Sequence, residues 1–102
     1  MREADVQNSI RLALSDRGWC VFRANVGKVK MSDGRWFDTG LPKGFSDLFA
    51  VKDGRVVFLE VKNETGRVRP DQVHFLEMMR ERYGCTAGVV RSVEDALKLV
   101  EK

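Results

Sequence analysis

Residues 47–62 read Asp47-Leu48-Phe49-Ala50-Val51-Lys52-Asp53-Gly54-Arg55-Val56-Val57-Phe58-Leu59-Glu60-Val61-Lys62. The Asp53-Gly54 pair at their centre decides the fold. Asp-Gly between two apolar runs is a two-residue hairpin signal. With that loop length, Lys52 faces Arg55, Val51 faces Val56 and Leu48 faces Leu59. One step further, Asp47 lands opposite Glu60. Side chains alternate along a strand. Phe58, Glu60 and Lys62 therefore point to one face, and Val57, Leu59 and Val61 to the other.

That register has a chemical consequence. Directly opposed residues have Cβ atoms about 5 Å apart, and two carboxylates at that range repel by roughly 3 kcal/mol at an effective dielectric near 20. A divalent cation removes the repulsion, and carboxylate oxygens suit Mg²⁺ or Mn²⁺. Lys62 shares the face of Glu60, where an ammonium group can hold an attacking water or offset charge on a phosphorane. The competing reading is two solvated strand-end acids, with Lys62 paired to one of them.

Working outward, residues 2–17 read as a helix, with Val6, Ile10, Ala13 and Leu14 on one face and Gly18 after it. Residues 19–25 read as a strand. The stretch 26–46 is rich in Gly and Lys, and Asp33-Gly34 within it predicts a short two-stranded ribbon closed by a two-residue turn. Residues 40–44 read as a loop. After Lys62 a loop runs through Gly66, and Pro70 opens a helix at its preferred first position, running to about Tyr83. Residues 86–91 read as a strand. Ser92 caps a last helix, with Asp95 three residues on and Val93, Ala96, Leu97 and Val100 as its apolar stripe. The order is αβ(ββ)ββαβα, a mixed α/β domain.

Each of two helices carries a polar residue at the N-terminal end of its apolar stripe. Glu3 precedes Val6, Ile10 and Leu14; Gln72 precedes Phe75, Leu76, Met79 and Tyr83. Polar groups aimed at a core cost free energy unless they have partners, so both could face an open site instead. As first-turn residues they also fit the helix dipole or ordinary solvent exposure.

Composition narrows the classes. The 102 residues suit one domain spanning 1–102, with 43% hydrophobic residues allowing one modest core. A net charge of +3 leans mildly toward polyanions. Two cysteines far apart and a single histidine, His74, leave no Cys/His zinc pattern; Cys20 and Cys85 read as reduced, buried thiols. No apolar run approaches the roughly 20 residues a membrane span needs, and the N-terminus leads straight into a helical pattern, so a soluble, cytoplasmic protein with no membrane partner is expected. Arg23, Lys28, Lys30, Arg35 and Lys43 lie before Asp47, and Arg67 and Arg69 before the Gln72 helix. Both groups flank the paired acids as a phosphate-binding rim would. Trp36 is either a core residue or a platform for an unpaired base. No major-groove reader is apparent, so recognition by DNA shape is expected.

The combination of Glu3, Gly44-Phe45-Ser46-Asp47-Leu48, Glu60-Val61-Lys62 and Gln72 resembles the D…E-x-K core of the PD-(D/E)XK nucleases. Within them it resembles the VRR-NUC family, the virus-type replication-repair nucleases, over nearly the whole chain. The resemblance implies a restriction-endonuclease-like fold, a central mixed β-sheet flanked by helices. It implies that Asp47 and Glu60 ligate Mg²⁺ or Mn²⁺ by side chain and Val61 by its backbone carbonyl. Lys62 would activate water, Glu3 would complete the acidic cluster through water or a second metal, and Gln72 would orient the lysine or the water. Ser46 stands where the wider superfamily often has proline. Members of about this length look like four-way (Holliday) junction resolvases acting as homodimers, whereas others carry additional domains that recruit flaps. The implied reaction is in-line hydrolysis of DNA to a 5′-phosphate and a 3′-hydroxyl. A nicking or flap-type nuclease, and a DNA-binding module that keeps the fold without cleavage, are the alternatives. Exposed apolar residues such as Trp36, Phe37 and Met78 are candidates for a dimer surface.

Overall fold

In the computed structural model, which describes residues 1–102, helix α1 spans Glu3–Asp16 and buries Val6, Ile10 and Leu14 on one stripe. Strand β1 (Cys20–Arg23) follows, then a ribbon of β2 (Lys28–Lys30) and β3 (Trp36–Asp38), then β4 (Leu48–Lys52) and β5 (Arg55–Val61). Helix α2 (Pro70–Glu81), strand β6 (Thr86–Val90) and helix α3 (Val93–Val100) complete the order. This is the expected sequence of elements.

The main sheet runs β1-β4-β5-β6. β4 pairs antiparallel with both β1 and β5, and β5 pairs parallel with β6. A parallel pair needs a crossover, and α2 supplies it. The β4–β5 register is the one read from the turn: Lys52 opposite Arg55, Val51 opposite Val56, Leu48 opposite Leu59. Both turn residues have positive φ, 50° at Asp53 and 79° at Gly54. A type I′ turn requires this, and its twist matches that of the flanking strands.

Alternation along β5 divides the core in two. Val57, Leu59 and Val61 join Val6, Ile10, Leu14, Ala96 and Val100 beneath α1 and α3. Phe58 joins Phe75, Leu76 and Ala87 beneath α2, with Phe45 and Phe49 packed alongside. Ile10, Leu14 and Leu59 are wholly excluded from solvent, each contributing about 1.5–3 kcal/mol by burial. Ser92 accepts from the N–H of Asp95 at 3.1 Å, and the Asp95 carboxylate reaches back to the N–H of Arg91 at 3.0 Å.

Several expectations are corrected. The Asp33-Gly34 ribbon forms, but the Met31 N–H bonds to the Arg35 carbonyl at 2.7 Å, closing a three-residue loop instead of a two-residue turn. The Asp33 carboxylate widens it by accepting from the Arg35 N–H at 3.0 Å and its Nε at 2.8 Å. β1 is shorter than read, because Trp19 turns into the core before the strand begins. α2 stops at Glu81, so Tyr83 falls outside the helix and is 58% exposed, off the apolar face assigned to it. Cys20, on an edge strand, is exposed and Cys85 half-buried; both are free thiols, but neither is a core residue. Trp36 is 64% exposed, because the ribbon stands apart from the main sheet. Met78 is half-buried against the Phe58 and Phe75 cluster, not exposed.

Candidate active site

The ladder between β4 and β5 ends at Leu48 and Leu59, so Asp47 lies one residue before β4, level with Glu60. Two backbone bonds fix it there. The Ala24 N–H donates to the Asp47 carbonyl at 2.8 Å, and the Val61 N–H donates to Asp47 Oδ2 at 2.9 Å. Asp47 is thus tied to the strands on both sides.

The approach to Asp47 depends on Gly44. Its φ is +92°, and a Cβ there would overlap the Asp71 carbonyl in the first turn of α2. Only glycine allows the backbone so close. Phe45 then inserts its ring 4.7 Å from that of Phe75 on α2, and the buried Ser46 hydroxyl donates to the Leu48 carbonyl at 2.9 Å. Ser46 thus ties the turn that leads into β4. Gly44→Ala is expected to lower stability by about 2–5 kcal/mol, from backbone strain plus overpacking. Thermal unfolding checks this; a loss below about 1 kcal/mol would mean the loop relaxes freely.

Glu60 faces the α2 side and is 1% exposed. Gln72 Nε2 donates to its Oε2 at 3.2 Å. Lys62 Nζ lies 3.8 Å from the same oxygen, so the expected sharing of a face is observed. Oε1 is buried and has no hydrogen-bond partner. An unmet buried acceptor costs about 1–3 kcal/mol, more when charged. Burial pushes the Glu60 carboxyl up to about 9; the Asp47 carboxylate beside it adds to the rise, Lys62 opposes it, and Glu3 contributes least.

Gln72 holds two partners. Its Oε1 accepts from the Arg69 N–H at 3.0 Å, capping α2, while its amide nitrogen goes to Glu60. Its amide thereby restrains the Glu60 carboxyl.

A cavity of about 310 Å³ opens above the pair, and Glu3, Asp47, Lys62, Arg69 and Gln72 line it, with Val29 of the ribbon. Glu60 lies beneath this lining. Glu3 is half-buried at the rim. No three His, Cys, Asp or Glu side chains are grouped so as to hold an ion by themselves. Two carboxyls with an orphaned oxygen, just beneath a cavity that Asp47 lines, nonetheless fit a hard cation such as Mg²⁺, which keeps several waters and takes one or two carboxylates.

Of the basic residues, Arg69 reaches the cavity lining. Its Nε also bonds Asp71 at 3.2 Å. Arg23, Lys28, Lys30, Lys43 and Arg67 are exposed, and none of these lines the cavity. Arg35 is engaged by Asp33 at 2.7 Å.

Sequence reasoning passed over Arg91. Its Nη1 donates to the carbonyls of Asn63 at 2.7 Å and Gly66 at 2.8 Å, while Asn63 Oδ1 accepts from the Gly66 N–H at 2.8 Å. Together they pin the loop leaving Lys62. The only local signal was Asn63 three residues before Gly66, an Asx-type turn. A second hollow, at the far end of the sheet, is structural. There Arg55 caps the carbonyls of Val100 and Lys102 at 3.0 and 3.1 Å, and Lys52 bonds the Arg17 carbonyl at 2.7 Å.

A family model of the VRR-NUC domain matches residues 2–94. The chain belongs to the VRR-NUC family. A solved structure described as a VRR_NUC domain is 28% identical, with a TM-score of 0.70 over 97% of this chain and 94% of the other. None of the curated proteins compared with the chain matches it. Both the family and the restriction-endonuclease-like fold therefore stand as read from the sequence. A VRR-NUC domain is a nuclease-type domain, which implies DNA binding, and nucleases of this family are generally metal-dependent. No helix is long and apolar enough to cross a membrane.

Proposed function

We propose that this VRR-NUC domain is a structure-selective DNA endonuclease that uses Mg²⁺ or Mn²⁺ and resolves four-way junctions as a homodimer. The observation that carries the reading is the buried, unpartnered Glu60 Oε1 beside Asp47, on a strand end with Lys62. A fold does not keep two facing carboxyls and an orphaned oxygen at low exposure without a ligand to satisfy them.

Asp47 and Glu60 would hold the ion by side chain and Val61 by its carbonyl, with water filling the remaining positions. When bound, the ion would polarise a phosphoryl oxygen and lower the pKa of water. Lys62 would position the attacking water or offset the charge that develops on phosphorus. The water oxygen would bond to phosphorus as the P–O3′ bond breaks, one water proton passing to solvent and the departing O3′ taking a proton from solvent, so that a 5′-phosphate and a 3′-hydroxyl remain. Glu3, at the rim, would act through water or at a second ion. Gln72 would keep Glu60 turned so that Oε1 faces the ion. Arg69 would bind a phosphate at the cavity edge, with Arg23, Lys28, Lys30, Arg35, Lys43 and Arg67 as outer contacts. Residues 1–102 would act as one domain. A symmetric junction presents two equivalent bonds, which a twofold pair of sites addresses together.

A cleavage panel tests this. Four-way junctions, flaps, single strands and plain duplex should be compared in Mg²⁺ and in Mn²⁺, with sedimentation at the same concentrations. Paired nicks in the junction by a dimer are expected. A preference for flaps by a monomer would favour the nicking or flap reading, and no cutting of any DNA in either ion would favour a binding module.

A further inference from the structure

The β2–β3 ribbon takes no part in the main sheet, yet it is exposed along its whole length. Its register places Lys28 opposite Asp38, Val29 opposite Phe37 and Lys30 opposite Trp36. Directly opposed residues share a face, so the ribbon has two unlike sides. One carries Val29 and Phe37, and Val29 lines the cavity above Asp47 and Lys62. The other carries Trp36, 64% exposed, opposite Lys30 and diagonal to Lys28. Asp38 is the only acid on that side, and its carboxylate is turned onto the Gly40 N–H at 2.8 Å.

An exposed indole that shares its face with two lysines is poorly suited to bury itself against a second copy of this chain. A twofold contact through that side would set Lys28 and Lys30 against their own counterparts. A polyanion is the complementary partner, and nucleic acid offers phosphates for the lysines and a base face for the indole. Val29 lines the cavity from the ribbon's opposite side, so a strand held on the Trp36 side passes round the ribbon, a span of a few nucleotides, to reach a phosphate in the cavity.

We propose that the ribbon reads DNA structure: Trp36 stacks an unpaired base, Lys28 and Lys30 hold nearby phosphates, and a single-stranded or branch-point nucleotide is thereby held a few nucleotides from the bond in the cavity. The inference deepens the nuclease reading, since it rests on Asp47 and Glu60 marking the bond that is cut, but its test does not require cutting.

Binding is measured in Ca²⁺ and in EDTA, by anisotropy, to an oligothymidylate single strand, a four-way junction and a blunt duplex. Trp36→Ala is expected to weaken single-strand and junction binding by about 5- to 100-fold, the equivalent of about 1–3 kcal/mol per stacked base, and to change duplex binding by less than about twofold. Lys28→Ala with Lys30→Ala should weaken binding to all three and reduce the salt slope by about 1–2. Intrinsic fluorescence adds a direct readout. The single strand should quench the wild-type protein and not Trp36→Ala, whose remaining tryptophan, the buried Trp19, reports that the fold is intact. Equal affinities for wild type and Trp36→Ala, or a dimer that Trp36→Ala turns into monomer in sedimentation, would overturn the inference. Stacking without cleavage in any ion would leave it standing while the nuclease reading falls.

Discussion

Asp47→Asn is expected to cut the single-turnover cleavage rate of a four-way junction by about a thousandfold or more in Mg²⁺. The asparagine keeps an oxygen to accept from the Val61 N–H, now at 2.9 Å, so the local backbone has no cause to move. What it loses is the negative charge opposite Glu60. Two carboxylates can neutralise and hold a divalent ion; one carboxylate facing an amide holds it weakly. Removal of charge stabilisation worth about 4 kcal/mol corresponds to three decades of rate. DNA binding in Ca²⁺ should stay within about threefold and the melting temperature should hardly change. Cleavage within tenfold of wild type would remove Asp47 from the ion site.

Glu60→Gln is expected to abolish cleavage to a similar degree while making the metal-free protein more stable at alkaline pH. The sign follows from the direction of the shift. Burial, with Asp47 second, raises the Glu60 carboxyl from an unfolded value near 4.5 to about 9. A group raised in the folded state contributes its stability fully below its unfolded pKa and loses it as pH climbs through its folded pKa. Between about pH 5 and pH 9 the metal-free wild type should therefore lose stability from this group. Glutamine cannot ionise and should flatten that slope. Near pH 9 the variant should melt higher, by roughly 4–8 °C for each kcal/mol gained in a domain of this size. Mg²⁺ should close the gap by stabilising the wild type alone, more strongly as pH rises and the proton leaves. A variant less stable than wild type at every pH would show that the Glu60 side chain is satisfied without a cation.

Much of the site was legible before any coordinates because it depends on local geometry. The Asp53-Gly54 turn sets the pairing of its strands, and a period of two then places Glu60 and Lys62 on one side. Other features were not legible, and each involves partners far apart in the chain. Gly44 reads only as a flexible residue until α2 is laid across it, at the carbonyl of Asp71. Gln72 looked equally suited to Lys62 or to a water, and only the packing of α2 on β5 gave its amide to Glu60. Asn63 and Gly66 hinted at a turn, but nothing near Arg91 pointed to it, since its acceptors are their carbonyls, far off in the chain. Trp36 could not be placed, because an aromatic residue on a short ribbon is buried or bare according to whether that ribbon docks on the sheet.

From its residues alone this chain determined its order of elements, the register of its central hairpin and the shared face of its acid and lysine. These follow from turn chemistry and side-chain alternation, which act between near neighbours. The tertiary structure alone decided how deeply Glu60 is buried, which of its oxygens is left without a partner, and that the β2–β3 ribbon stays exposed beside the cavity. Those depend on the packing of distant segments, where desolvation and long-range hydrogen bonds set the balance.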